Sequence, residues 1–151
     1  MEIELHPLEK KHLKWLLEIR NHKSTRSQLE NDSIFTLEEC EKWFETLKSP
    51  WYVIMDKDLS WVGYIRTDGD AIGCDIHPDY RKIGYARKAY KKYLKDKDYA
   101  YLWVFEDNHA KKLYQELGFK ETGEVQFIRG KKYLKMVYGN NLYVLTRKDN
   151  I

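Results

Sequence analysis

The segment that most constrains this chain is residues 71–90, Ala-Ile-Gly-Cys-Asp-Ile-His-Pro-Asp-Tyr-Arg-Lys-Ile-Gly-Tyr-Ala-Arg-Lys-Ala-Tyr. The run 71–76 is short and rich in small and β-branched residues. His77-Pro78 closes it, because proline cannot continue a ladder. Ala86, Ala89, Tyr90, Tyr93 and Leu94 then recur at the spacing of one helix face. A strand end and a helix start are therefore joined by residues 81–86. The open amides of a helix start, and the positive end of its dipole, favour an anion at such a junction. Gly84 brings the backbone close to a ligand with no Cβ in the way.

The remaining chain fits around this unit. Residues 2–6 form a strand ended by Pro7, and Leu13, Leu16 and Leu17 mark a helix running to about Arg20. Residues 21–33 are almost wholly polar and read as a long loop with room for a short helix; loops of that length in a compact domain are functional or mobile. Thr36-Leu37-Glu38-Glu39 is a capping box, and Leu37, Cys40, Phe44 and Leu47 line the helix it opens, with Ser49-Pro50 after it. Residues 51–56 and 60–66 make a hairpin, 67–70 a turn, and 99–105 a buried aromatic strand. Ala110, Leu113, Tyr114 and Leu117 give a last helical stripe with Gly118 as its C-cap. Strands over 121–129, 132–138 and 142–147 follow, turned at Gly130 and at Gly139-Asn140-Asn141.

The expected fold is α+β: a mixed, mostly antiparallel sheet of about seven strands flanked by about four helices, in one domain over residues 1–151. A chain of 151 residues buries a core without staples. The net charge of +3 gives nucleic-acid binding no support, and no apolar run is long enough to span a bilayer. The N-terminus lacks the pattern of a secretion signal, and Cys40 and Cys74 have no metal-like spacing. The expectation is a cytoplasmic protein with reduced thiols, no metal and no membrane partner, as a monomer or homodimer.

Arg81, Gly84 and Ala86 stand at a spacing that resembles the pyrophosphate loop of the GNAT superfamily of N-acetyltransferases. Residues 108–119, with Tyr114 followed by three residues and then Gly118-Phe119, resemble that family's second signature. In the family an Asn lies seven residues before the Tyr; here Asn108 lies six before it and Asp107 seven, so either residue fills that place. The resemblance implies acetyl-CoA as co-substrate, held by Arg81, Lys82, Ile83, Gly84, Tyr85, Ala86 and Asn108. It also implies a sheet splayed at the fourth strand, where Asp75, Ile76 and His77 orient the reactive end and the Ile76 N–H meets the developing oxyanion.

The same resemblance makes Tyr114 the acid that meets the leaving thiolate. Asp70, six residues before Ile76, takes the place of a general base found in some members, with a water chain as the alternative. Cys74 has no evident partner, so direct transfer in a ternary complex is expected rather than an acyl-cysteine. Residues 20–35 should shape the acceptor pocket, with Arg20, Asn21, His22 and Arg26 as substrate-binding candidates. The style of this segment is similar to the branch of ribosomal-protein and aminosugar acetyltransferases. The expected acceptor is a small primary amine, an aminosugar on a nucleoside diphosphate, since Lys23 and Arg26 suit a diphosphate. A protein or peptide amine, and a non-catalytic acyl-CoA-binding domain, are the alternatives.

Overall fold

The structure, a computed structural model, describes residues 2–139. The strand expected over 142–147, and most of the turn before it, lie outside the described residues. The chain divides into two compact units: residues up to Gly69 with Gly73–Ala89, and Asp70–Ile72 with the chain from Tyr90 onward.

The first unit opens with β1 (Ile3–Pro7), a 3-10 turn, α1 (Leu13–Arg20), the one-turn helix α2 (Lys23–Arg26) and α3 (Leu37–Glu45). The hairpin β2 (Tyr52–Asp56) and β3 (Trp61–Asp68) follows. β1 pairs antiparallel with β2, and β2 with β3 across a bulge after Ile54. Pro7 stays inside β1, opposite Tyr52. β1 is the outermost strand, so the missing N–H interrupts no inner ladder. The Thr36 hydroxyl accepts from the Glu39 amide at 3.1 Å and the Glu39 carboxylate from the Thr36 amide at 3.0 Å, the reciprocal box legible in the sequence. Leu8, Leu13, Leu16, Ile19, Cys40, Val53 and Tyr64 form the core under α1, with Trp15, Trp43, Trp51 and Trp61 packed around it. Each such apolar side chain contributes about 1.5–3 kcal/mol by burial.

The second unit holds β5 (Tyr99–Phe105), α5 (Ala110–Leu117), β6 (Lys120–Ile128) and β7 (Lys131–Gly139). β7 lies between β5 and β6, antiparallel to both. Tyr90, Leu102, Val104, Phe105, Phe119 and Met136 are buried there. Gly118 closes α5 in the left-handed conformation, as the sequence predicts.

Two elements cross the boundary: β4 (Ala71–Ile76) and α4 (Tyr85–Leu94). Gly69 and Asp70 turn the chain from β3 into β4. β4 meets β5 in parallel, and among the described residues their register holds one pair, Ala71 with Tyr101. The seven strands are hydrogen-bonded in the order β1-β2-β3-β4-β5-β7-β6, with this splayed pair as the parallel neighbours. Among the described residues there are five α-helices rather than about four, because the polar segment after α1 contains α2.

Candidate active site

The end of β4 is fixed by side chains from β3. Arg66 Nε lies 3.0 Å from Asp75 Oδ2, an ion pair rather than an aligned hydrogen bond, with the carboxylate 10 % exposed. The guanidinium reaches Asp75 by lying across Gly73, where a Cβ would collide with it. The Tyr64 phenol is fully buried, and its pKa is pushed well above the usual value by that burial and then by the Asp75 charge. The Asp75 carboxylate is thus engaged inside the protein, and the part expected at Asp75 toward a coenzyme belongs to its backbone.

The neighbouring backbone groups are also engaged. The His77 amide donates to the Val62 carbonyl at 2.8 Å, which places it in the ladder with β3. The His77 ring accepts from the Asp79 amide through Nδ1 at 3.1 Å. Its Nε2 lies 4.0 Å from the Glu18 carboxylate. The Ile76 side chain is core, and its carbonyl accepts from Arg81 Nε at 2.9 Å.

The loop beyond it has an anion-binding shape. Lys82 has φ 66° and Gly84 φ 98°, with Ile83 between them at negative φ. Alternating φ signs turn successive N–H groups toward one side, forming a nest. α4 begins at once, with the Gly84 carbonyl accepting from Lys88, so the first-turn amides around Tyr85 and Ala86 extend that row. Lys82 and Ile83 carry exposed side chains. Tyr85 is 8 % exposed, and its hydroxyl donates to Asp56 Oδ2 at 3.2 Å. Burial and the Asp56 charge raise the pKa of this phenol. Asp56 also accepts from the Asp58 and Ser60 amides, each at 2.9 Å, so the β2–β3 turn braces the helix start. Open amides at a helix N-terminus suit the diphosphate of a coenzyme.

The four residues expected to meet the acceptor hold their own segment together. Arg20 donates to the Ser33 and Asn31 carbonyls at 3.1 and 2.6 Å, with its guanidinium over the Phe35 ring. Asn21 pairs with both backbone groups of Phe35, at 2.8 and 2.9 Å. Arg26 donates to the Asn21 and Asp32 carbonyls at 2.9 and 3.0 Å. His22 caps α2 by accepting from the Ser24 amide.

In the second unit, Tyr114 is half-buried on α5, with its hydroxyl 3.5 Å from that of the buried Tyr90 and its ring against Phe119. Asn108 Oδ1 accepts from the Ala110 amide at 2.9 Å and so starts α5, while Asp107 pairs with Lys131 at 3.0 Å. Asp70 sits in the turn before β4 and accepts from the Tyr101 amide through its backbone oxygen. Arg66, Tyr64, Asp56, Ser24 and Thr25 were not singled out in the sequence, since their partners lie on other elements and no local spacing marks them, and Tyr90 was read only as part of a helix face.

A splayed strand followed by a bent loop at a helix start offers a site to an anion such as a diphosphate. The sequence matches the model of the acetyltransferase (GNAT) domain over residues 24–139, and the chain belongs to that family. It is an acetyl-CoA-dependent N-acetyltransferase. No curated protein matches the sequence. A Vibrio cholerae spermidine N-acetyltransferase, solved with CoA and spermine, superposes with a TM-score of 0.80 at 21 % identity, covering 94 % of this chain and 98 % of that one. A Staphylococcus aureus N-acetyltransferase matches with a TM-score of 0.72 at 19 % identity, over 92 % of this chain and 99 % of that one. YncA from Salmonella typhimurium, solved with its cofactor acetyl-CoA, matches at 0.71 and 20 % identity, over 92 % of this chain and 94 % of that one.

Proposed function

We propose that the acceptor is a small polycationic amine of the polyamine class. The observation that carries this is the internal use of Arg20 and Arg26, whose guanidinium groups are bonded to backbone carbonyls of their own segment. A nucleoside diphosphate needs cations aimed outward, and these two point inward. The exposed charges around the segment include Glu18, Glu30 and Asp32 beside Lys23, an excess of carboxylates that favours an ammonium chain. The spermine-bound relative supports the same class of acceptor. Neither the ribosomal-protein nor the aminosugar branch gains support from the comparisons.

In this reading the 81–86 loop holds the coenzyme diphosphate, the backbone at Ile76 orients the acetyl carbonyl, and Tyr114 meets the leaving sulfur. Asn108 meets the coenzyme from the start of α5. Asp70 is the side chain assigned to proton removal from the amine.

Release of CoA thiol, followed over spermine, spermidine, a nucleotide-linked aminosugar and an amino-terminal peptide, tests the acceptor. The polyamines should exceed the others in kcat/KM by about 100-fold. A preference for the aminosugar nucleotide overturns the proposal. Tyr114→Phe should lower kcat by about 100-fold with little change in the KM for acetyl-CoA. An unchanged kcat removes Tyr114 from the chemistry.

A further inference from the structure

Arg81 opens the coenzyme loop, yet its side chain turns away from it. Nε donates to the Ile76 carbonyl at 2.9 Å, Nη2 to the Thr25 hydroxyl at 2.8 Å, and Nη1 to the Ser24 hydroxyl. Three corners of one rigid fork thus join the last residue of β4, the first residue of the loop, and α2. Thr25 is 4 % exposed, so its hydroxyl has little water to fall back on. α2 is itself tied into residues 20–35 by Arg26, and its N-terminus is capped by His22. Nothing local in sequence supports this junction: the two hydroxyls lie 57 and 56 residues before Arg81.

We infer that Arg81 is a positioning residue rather than a phosphate ligand. It sets the pose of the coenzyme loop by locking it to α2, so that Thr25, outside the loop, controls coenzyme affinity. The inference rests on the assignment of residues 81–86 to the coenzyme diphosphate. A planar guanidinium is required, since it sends donors from three separate nitrogens in fixed directions, whereas the three donors of an ammonium radiate from one atom. By linkage the coupling is reciprocal, and whatever orders residues 20–35 also tightens the loop.

The test measures CoA affinity by calorimetry in the full chain, for wild type, Thr25→Val, Thr25→Ser, Arg81→Ala and the Arg81→Ala/Thr25→Val double variant. Thr25→Val keeps the volume, and should weaken CoA by about fivefold or more. Thr25→Ser should restore most of the affinity, which separates the hydroxyl from packing. The double variant should bind no worse than Arg81→Ala, because both remove the same junction. A Thr25→Val protein with wild-type affinity, beside a weakened Arg81→Ala, would show that Arg81 touches phosphate directly and overturn the inference. Additive losses overturn it as well. If Thr25→Val fails to fold, Ser24→Ala read against Arg81→Ala gives the same cycle. A wild-type chain that binds no CoA overturns the loop assignment, and this inference with it.

Discussion

Residues 20–35 and 81–86 are the stretches proposed to meet the acceptor and the coenzyme, and they are built on opposite plans. In the first, side chains are turned onto the backbone: Arg20, Asn21 and Arg26 bond carbonyls and amides of their own segment. In the second, Lys82 and Gly84 bend the main chain so that the amides themselves are presented. One stretch uses side chains to hold a shape, and the other uses shape to offer main chain. A polar residue in the first therefore says little about ligand. A glycine in the second says a good deal.

The contrast can be broken most directly at Gly84. Gly84→Glu places a side chain at φ 98° and a negative charge on an anion site. Affinity for acetyl-CoA should fall by about 100-fold or more, with the far-ultraviolet spectrum retained. Unchanged affinity in calorimetry would sink the loop assignment.

Arg20→Ala should act on the other side alone. It frees the Ser33 and Asn31 carbonyls and loosens the segment. The expected result is a rise of about tenfold in the KM for the amine, with acetyl-CoA affinity held within about twofold. Equal losses in both would show that the two stretches do not divide the work in this way.

A smaller effect comes from acid. His12 immediately precedes α1, which carries Arg20, and its ring lies 4.6 Å from that of Trp61. Burial, the largest cause, holds its pKa below the ordinary 6.5. The unfolded chain then binds a proton that the folded chain refuses, so stability is fully present above about pH 6.5 and is lost as pH falls toward the lowered value. Urea midpoints should decline over that range in the wild type and decline less in His12→Gln. A flat wild-type profile would contradict this assignment.

These regions also differ in how legible they were. The shape of the 81–86 loop was legible because it is a demand on the backbone, and a φ of 98° leaves its mark in the choice of Gly84. The sheet was readable from period and turns, down to the Thr36–Glu39 box. The acceptor segment was not, because an arginine bonded to a carbonyl and an arginine awaiting a phosphate are the same letter. α2 was only allowed for, since one turn of Lys-Ser-Thr-Arg has no apolar period to count. The Arg66–Asp75 pair was hidden for another reason: it spans two strands, and only Gly73, which lets the guanidinium pass, hinted at a close approach. The acceptor expected from Lys23 and Arg26 gave way for the same reason, once Arg26 was found folded back on its own loop.

Both cysteines have a practical consequence. Burial raises the pKa of Cys40, with Glu41 adding to it, and raises that of Cys74 further, where Asp75 adds to it. Neither is in a disulfide. Thiolate is the reactive form, so both side chains are poor nucleophiles at neutral pH. Chromogenic disulfide reagents should therefore report each turnover's newly released coenzyme sulfhydryl against a low protein background. Mild alkylation should likewise leave the folded enzyme unlabelled, making labelling a sensitive gauge of unfolding.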